Sequence, residues 1–187
     1  MNIGFAMCGS FCTFSQVFPI MAQLAQNHKV IPIFSPNAYT VDSRFGSAKD
    51  HIGKATEICK QDVLHTIAQV EPIGPKKLLD ALVIAPCTGN TIAKLAHSIA
   101  DTSVTMAAKS HLRNGRPILI AVSTNDALCG AAENIGKLMG RKHYYFVPFR
   151  QDDPAGKPTS MVADFTQIES ALEAAMAHKQ IQPLILS

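Results

Sequence analysis

The chain has 187 residues, of which 47% are hydrophobic and 17% are charged, and its formal net charge is +3. This length and composition predict one globular domain, residues 1–187, with a full hydrophobic core. The small and scattered positive charge argues against a nucleic-acid-binding protein, and because we find neither a long apolar run nor a basic leader, we expect no membrane span and no signal peptide.

The cysteines argue against a disulfide framework and against a zinc site. The sequence has five of them, with no Cys-x-x-Cys pair and no Cys/His set at zinc spacing. An odd number of cysteines, two of them inside apolar runs, is typical of reduced thiols in the cytoplasm. We therefore expect a cytoplasmic protein without a metal site. The cysteines are Cys8, Cys12, Cys59, Cys87 and Cys129.

Short apolar strands alternate with helices along the chain. The predicted strands lie at residues 1–8, 29–34, 81–85, 118–122 and 144–149. The predicted helices run from Gly9 to Asn27 and then lie at residues 48–58, 76–79, 91–100, 102–113, 127–139 and 164–178. Residues 62–70 fit either a helix or a strand, and residues 150–162 form a polar loop that we expect to be flexible.

This order of elements predicts an α/β fold. Strands that are apolar throughout indicate a parallel sheet with helices on both faces. We therefore expect a flavodoxin-like or Rossmann-like three-layer sandwich with a central parallel sheet and a C-terminal helix. In such sheets ligands bind beyond the carboxyl ends of the strands. Three loops with small or polar side chains are predicted there, at residues 9–12, 86–91 and 123–126.

Gly9 and Ser10 follow the first predicted strand and begin a helix. A glycine lets the backbone approach a ligand closely, and a helix N-terminus offers free amides and the positive end of a dipole to a phosphate. The loop is neither a Gly-x-Gly-x-x-Gly fingerprint, because no further glycine follows Gly9 at the required spacing, nor a P-loop. The alternative is a tight turn in which Ser10 caps the helix.

Residues 86–91 are the most specific segment of the sequence. Their small and polar side chains leave room for a flat ring against the backbone. Asn90 offers a donor and an acceptor to the edges of a ring, while Thr88 and Thr91 offer hydroxyl groups. The alternative is a helix cap formed by Thr88 or Asn90. The segment consists of Pro86, Cys87, Thr88, Gly89, Asn90 and Thr91.

The segment 85–96, followed by Ile99-Ala100-Asp101, resembles the flavoprotein family that contains the cysteine decarboxylases and is similar to the flavin prenyltransferases. The family signature is Pro-Ala-Ser/Thr-Ala-Asn-Thr followed by Ile/Leu-Ala-Lys-Leu-Ala, and the order of elements agrees as far as about Leu128. The resemblance implies an FMN cofactor. By this resemblance Gly9 and Ser10 hold the FMN phosphate, Ser35 lies beside it, residues 86–91 line the flavin, and Ser123, Thr124 and Asn125 replace Ala-Met-Asn of the family.

Two departures from the family pattern bear on the reaction. Glu71-Pro72 occupies the place of the decarboxylases' catalytic histidine, and because proline cannot transfer a proton, the sequence argues against cysteine decarboxylation. Thr124 replaces the methionine of Ala-Met-Asn. His65 is nearby in the sequence, either as a base or as an ordinary structural histidine. His65 and Glu71 are the two candidates for a base, but neither has a sequence context that tunes its pKa, and no catalytic residue is assigned.

Residues 71–76, 123–126, 147–154 and 157–160 are similar to one branch of this family. The similarity implies an oxidoreductase subunit that supports oxidation of a dihydropyridine dicarboxylate to a pyridine dicarboxylate in the mother cell of a sporulating bacterium. It also implies a dehydrogenase-like partner protein that binds NAD(P), since this chain lacks the dinucleotide fingerprint. Arg150, Lys157 and Ser160 lie on a loop suited to closing over the dicarboxylate, or on an ordinary solvated loop.

Two other functions stay open, a non-catalytic module that holds a flavin or phosphate ligand or scaffolds the partner, and a flavin-dependent decarboxylase or prenyltransferase. The helix after Gly9 carries apolar side chains on more than one face, which indicates burial on several sides. The resembling flavoproteins complete their ligand sites between subunits. We therefore predict a homo-oligomer built from trimers. The apolar residues of this helix include Phe11, Phe14, Val17 and Phe18.

Overall fold

A seven-stranded sheet forms the centre of the computed structural model, which describes residues 1–187. The strands lie in the order β2-β1-β3-β4, and this part of the sheet is parallel. Parallel β5 extends the sheet along the first half of β4, and antiparallel β7 and β6 extend it along the second half. The strands are β1 (Asn2–Met7), β2 (Lys29–Phe34), β3 (Ala81–Cys87), β4 (Ile118–Thr124), β5 (Tyr144–Phe146), β6 (Phe149–Arg150) and β7 (Met161–Ala163).

Helices flank this sheet and connect its parallel strands. None of them combines the length and the apolar character that crossing a bilayer requires. Short 3₁₀ turns lie at Phe11–Thr13, Glu71–Ile73 and Phe165–Gln167. The helices are α1 (Phe14–Asn27), α2 (Pro36–Thr40), α3 (Ala48–Cys59), α4 (Ile67–Val70), α5 (Gly89–Ala96), α6 (Ser103–Leu112), α7 (Ala132–Met139) and α8 (Ile168–Met176).

The central strands explain why the sheet is covered on both faces. All seven residues of β3 are buried, and every residue of β4 except the last is buried. Strands without a polar face are stable only when helices cover both sides of the sheet. The predicted α/β class is confirmed, and the parallel core of the sheet carries the antiparallel pair β6 and β7 at one end.

Several segments differ from the predicted elements. The helix α2 was not predicted, and α7 begins at Ala132 instead of residue 127. Residues 76–79 form a turn instead of a helix, and Lys77 has a φ of 50°, in the left-handed region that ends helical structure. The predicted strand 144–149 is divided into β5 and β6, because Pro148 has no amide to donate to a neighbouring strand. The sequence pattern does not predict β7, since three residues are too few for a periodicity.

The apolar faces of α1 are buried within the chain itself. Phe14, Val17 and Phe18 each expose 2% of their surface or less. The ring centroids of Phe14 and His51 in α3 are 4.8 Å apart, so α3 covers one of these faces. Because no second copy is needed to bury α1, its apolar pattern gives no support to the predicted homo-oligomer.

Candidate functional site

The carboxyl ends of β1, β2, β3 and β4 lie side by side and bring the predicted loops together. Gly9, Ser35, Thr88 and Asn125 each follow one of these strands within two residues. The strand order changes direction between β1 and β3, because the chain passes from β1 to β2 on one side and to β3 on the other. In sheets of this order the ligand site lies at that crossover. Gly9 and Thr88 stand there.

The loop after β1 contains one backbone amide without a hydrogen-bond partner, that of Gly9, and one hydrogen-bonded hydroxyl, that of Ser10. The amide of Gly9 forms no hydrogen bond within the chain. A Cβ at Gly9 would lie 3.3 Å from the Cβ of Asn37, so glycine keeps the backbone open at this point. The hydroxyl of Ser10 lies 2.8 Å from that of Ser123 and joins the loops after β1 and β4. Ser10 stands at the N-cap position of the 3₁₀ turn Phe11–Thr13, but its side chain forms no capping hydrogen bond.

Ser35 lies at the other side of this loop, after β2. Its side chain is 7% exposed, and its hydroxyl accepts the amide of Ala38 at 3.3 Å as the cap of α2. A nearby contact fixes α6 to the end of the same strand, since the hydroxyl of Ser103 donates to the carbonyl of Phe34 at 2.6 Å. Thr102, which caps α6, is held beside Ser35 in this way.

Residues 86–91, predicted as a loop, form the end of β3 and the first turn of α5, and they divide into a buried part and an accessible part. Pro86, Cys87 and Gly89 are buried, and burial raises the pKa of Cys87 well above its ordinary value. The hydroxyl of Thr88 donates to that of Thr91 at 3.2 Å, and Thr91 donates to the sulfur of Cys8 at 3.3 Å. Thr88 stands at the N-cap position of α5, but the capping hydrogen bond considered as an alternative is absent, and the first amides of α5 have no side-chain partner.

The loop after β4 packs directly against Gly89. The hydroxyl of Thr124 donates to the carboxylate of Asp126 at 2.6 Å. A Cβ at Gly89 would lie 2.8 Å from the Thr124 hydroxyl and 2.7 Å from the Asp126 carboxylate. The family signature has alanine at the position of Gly89 and methionine at the position of Thr124. The two replacements thus occur together at one contact. The hydroxyl of Thr159 closes the loop by donating to the carbonyl of Asn125 at 2.6 Å.

A polar hollow opens between the ends of β1, β2 and β3. Its volume is about 410 Å³, and none of its side chains is hydrophobic. Lys94 and Asp101 form an ion pair across it at 2.9 Å, and the ammonium holds the pKa of Asp101 below its ordinary value. The hollow is lined by Gly9, Ser35, Pro36, Asn37, Thr88, Asn90, Thr91, Lys94, Asp101 and Thr102.

An aromatic hollow of about 350 Å³ lies on the other side of Gly9 and Thr88, which line both spaces. Predicted residues form one wall, namely Ser10 and residues 123–125. Phe11 and Cys12 of the predicted loop 9–12 also line it. The sequence interpretation missed the three remaining lining residues, which are Ser43, Arg44 and Phe45. The predicted site residues Pro86, Cys87 and Gly89 line neither hollow.

The candidate bases do not reach these hollows. The ring of His65 stacks on Tyr39 with centroids 3.7 Å apart, and Glu71 is exposed in a 3₁₀ turn whose carbonyl accepts the hydroxyl of Ser110. Neither residue lines the polar or the aromatic hollow. No group of three His, Cys, Asp or Glu side chains is arranged to hold a metal ion.

The loop predicted to close over a dicarboxylate has its charges partly paired. Lys157 lies 3.2 Å from Asp152, and Ser160 is buried. Arg150 belongs to β6.

A larger cavity of about 530 Å³ lies elsewhere, between α6 and the segment 141–144, and contains none of the loops described above.

Comparisons with known proteins agree with the resemblance in the sequence. A family model described as Flavoprotein matches residues 1–169. The chain is also 40% identical to the B subunit of dipicolinate synthase from Bacillus subtilis (strain 168) over 186 residues, which are 99% of this chain and 93% of the relative. The chain belongs to the flavoprotein family, in the group of dipicolinate synthase B subunits.

Solved structures share this fold over nearly the whole chain. The crystal structure of the dipicolinate synthase B subunit from Bacillus halodurans is 40% identical with a TM-score of 0.91, and the match covers 100% of this chain and 96% of that one. The FMN-dependent cysteine decarboxylase SpaF is 21% identical with a TM-score of 0.69, covering 94% and 97% of the two chains. The family and the fold class predicted from the sequence are therefore confirmed.

Proposed function

We propose that the chain acts as the B subunit of a dipicolinate synthase in the cytoplasm of the mother cell. Together with the dehydrogenase-like A subunit of that enzyme, here called the dehydrogenase partner, it supports the oxidation of dihydrodipicolinate to dipicolinate during sporulation. The observation that carries this proposal is the 40% identity to the Bacillus subtilis protein over 99% of the chain. The position of both hollows at the ligand-binding edge of the sheet supports it.

The polar hollow fits the phosphate and ribityl parts of FMN. Gly9 supplies an amide without a partner, and Ser35, Thr88 and Asn90 supply hydroxyl and amide groups. The carboxylate of Asp101 is neutralised by Lys94 and does not repel an anion. These residues would hold the cofactor, with residues 123–125 beside the ring. Bound FMN supplies a two-electron acceptor.

The chain's own residues position and enclose the ligand. Gly9 and Thr88 form the ridge between the hollows, so a ligand that crosses this ridge contacts backbone and hydroxyl instead of bulky side chains. The hydrogen bond between Ser10 and Ser123 holds the loop after β1 against the end of β4, and together these segments form one wall of the aromatic hollow. A substrate placed there is held against the site without any movement of the sheet.

The dehydrogenase partner supplies the NAD(P) site in this proposal. The loop after β1 reads Gly9-Ser10-Phe11-Cys12 and lacks the second glycine that lets a backbone approach a dinucleotide pyrophosphate. Phe11 fills part of this space, since a Cβ at Gly9 would already lie 3.6 Å from its ring. This chain is therefore inactive alone. We further propose that it assembles into a homo-oligomer built from trimers.

A second candidate is a non-catalytic scaffold that holds FMN or another phosphate ligand for the dehydrogenase partner. It is favoured by one observation, that neither His65 nor Glu71 lines the hollows. The same observation argues against a decarboxylase or prenyltransferase whose proton transfer depends on these residues.

The decisive experiment measures dipicolinate formation from dihydrodipicolinate and a nicotinamide cofactor. Three samples are compared: this chain, the dehydrogenase partner, and the mixture. We expect turnover only in the mixture, and the spectrum of the purified chain after titration with FMN reports cofactor binding. Turnover by this chain alone would contradict the proposal that it is inactive without the dehydrogenase partner. A mixture that turns over no faster than the dehydrogenase partner alone would overturn the proposed function. Equal rates with and without FMN would select the scaffold.

A further inference from the structure

Arg44 is the one cation in the two hollows without an acidic partner. The three ion pairs of the chain join Lys94 to Asp101, Arg116 to Asp80 and Lys157 to Asp152. Arg44 takes part in none of them, and its guanidinium donates no hydrogen bond. No carboxylate lines the aromatic hollow in which it lies. Arg44 therefore lines this hollow with a guanidinium that has no hydrogen-bonding or acidic partner in the chain.

A tight turn fixes the place of Arg44 through the backbone. Ser43 and Gly46 exchange two hydrogen bonds, of 3.0 and 3.1 Å, so Arg44 and Phe45 are the two central residues of a hairpin turn. The backbone of Gly46 has a φ of 132°, which side chains rarely tolerate, and a Cβ there would lie 2.8 Å from the ring of His51. We call residues 43–46 the Arg44 turn.

The buried core supports the Arg44 turn from below. His51 is 7% exposed and packs between Phe14 and Phe18 of α1, with ring centroids 4.8 and 6.0 Å away. The same helix begins just after Phe11, which lies on the wall of the hollow and packs on Phe14 at 5.3 Å. The turn and the aromatic wall thus share one rigid support.

The chemistry of the Arg44 turn suits a flat anion. The guanidinium carbon of Arg44 lies 4.9 Å from the centre of the Phe45 ring, and this ring is 45% exposed. A guanidinium binds a carboxylate through two parallel hydrogen bonds, and aromatic rings pack on one another at similar distances. The hydroxyls of Ser10 and Ser123 also line the hollow, and the one that accepts in their mutual hydrogen bond can donate to a ligand.

We propose that the Arg44 turn is the substrate-recognition element of the site, in which Arg44 binds a carboxylate of a planar pyridine dicarboxylate and Phe45 packs against its ring. This inference rests on the proposed function for the identity of the ligand. Arg44 is a specificity-determining residue in this assignment, and it does not hold FMN, whose polar groups belong to the other hollow.

Direct binding tests this assignment without turnover and without the dehydrogenase partner. Pyridine-2,6-dicarboxylate is titrated into the purified chain by calorimetry, with and without FMN. We expect Arg44→Gln to weaken binding by about 10-fold or more, the effect of losing a charged hydrogen-bonding partner. Arg44→Lys should recover part of this loss, because a point charge replaces the bidentate contact. Phe45→Leu should weaken binding by a smaller factor.

The controls separate substrate recognition from a general charge effect and from cofactor binding. Arg113→Gln removes an arginine at the end of α6, next to the amino edge of the sheet, and should leave dicarboxylate affinity unchanged. Pyridine-2,6-dicarboxamide should bind the wild-type chain weakly and be insensitive to Arg44→Gln. Wild-type affinity in Arg44→Gln, or absence of dicarboxylate binding to the wild-type chain, would overturn the assignment.

The affinity for FMN shows whether Arg44 binds the cofactor instead of the substrate. We expect the same FMN affinity in the wild-type chain and in Arg44→Gln. A loss of FMN binding with unchanged dicarboxylate binding would assign Arg44 to the cofactor and refute the proposal. A mixture with the dehydrogenase partner that makes no dipicolinate, while dicarboxylate binding still depends on Arg44, would reject the proposed function and leave the recognition element standing.

Discussion

Replacing Gly89 by alanine should destabilise the protein, although alanine favours helices more than glycine does. Gly89 is the first residue of α5, and an added Cβ would lie 2.7 Å from the carboxylate of Asp126 and 2.8 Å from the hydroxyl of Thr124. These two groups hydrogen-bond to each other at 2.6 Å. The carbonyl of Asp126 also accepts the amides of Cys129 and Ala131, so its backbone is held in place.

The expected loss follows from these contacts. Forcing an extra carbon into a filled space costs about 1–3 kcal/mol, and moving Asp126 away gives up a hydrogen bond worth about 1 kcal/mol. The gain from helix propensity is at most about 1 kcal/mol and is smaller at a helix end. Gly89→Ala should therefore lower the free energy of unfolding by about 1–3 kcal/mol. Gly136→Ala in α7 should raise it slightly, because a Cβ there meets nothing within 4 Å.

Urea unfolding followed by far-UV circular dichroism measures both changes. The same Gly89→Ala change is then made in a chain that also carries Thr124→Ala and Asp126→Ala. In this background both obstacles are absent, and the cost of Gly89→Ala should fall to about zero. An equal cost in the two backgrounds would refute the reasoning, since it would show that the obstruction lies elsewhere.

Three further predictions concern pH, cofactor and assembly. Burial lowers the pKa of His111 to about 4, so the unfolded chain binds more protons and this group should cost about 2 kcal/mol of stability between pH 7 and pH 5. Urea midpoints at these two pH values should lie closer together in His111→Gln, and an unchanged difference would contradict the assignment. Asn90→Trp should abolish quenching of FMN fluorescence, whereas quenching equal to that of the wild-type chain would exclude the polar hollow as the FMN site. Light scattering at tens of micromolar should give a multiple of the 20.1 kDa chain mass, and a monomer would reject the proposed oligomer.

The central strands were predictable because their sequence pattern has one explanation. The uninterrupted apolar run at residues 81–85 fits a strand buried on both faces, and the structure has that strand and extends it to Cys87. The predicted strand 144–149 is divided at Pro148, and β7 is a short strand. Both features depend on which strand each segment pairs with. Such pairing is tertiary information, and a three-residue segment carries no periodicity that indicates it.

The loops after the strands were predictable as a group, but their individual side chains were not. Parallel topology brings Gly9, Thr88 and Asn125 to one edge whatever their side chains do. Whether a side chain faces the ligand or the core depends on local packing, which buried Cys87 and Gly89. Arg44 was missed because its turn lies outside these loops, and the one signal for it is Gly46, whose φ of 132° suits only glycine.

The outer side of β4 pairs with β5 along its first half and with β7 at its end. The C-terminal part of the chain therefore covers backbone groups of β4 that would otherwise be open to other strands. Beyond Ile120, where β5 ends its pairing, the outer side of β4 is satisfied by β7 at Ser123 and Thr124. A chain shortened before Met161 would leave these amides and carbonyls open to strands of other molecules, and exposed edges of this kind promote aggregation. Truncation should therefore reduce solubility, and it should also destabilise the fold, because the same segment carries α8, whose buried Ile168, Ala171 and Leu172 belong to the hydrophobic core.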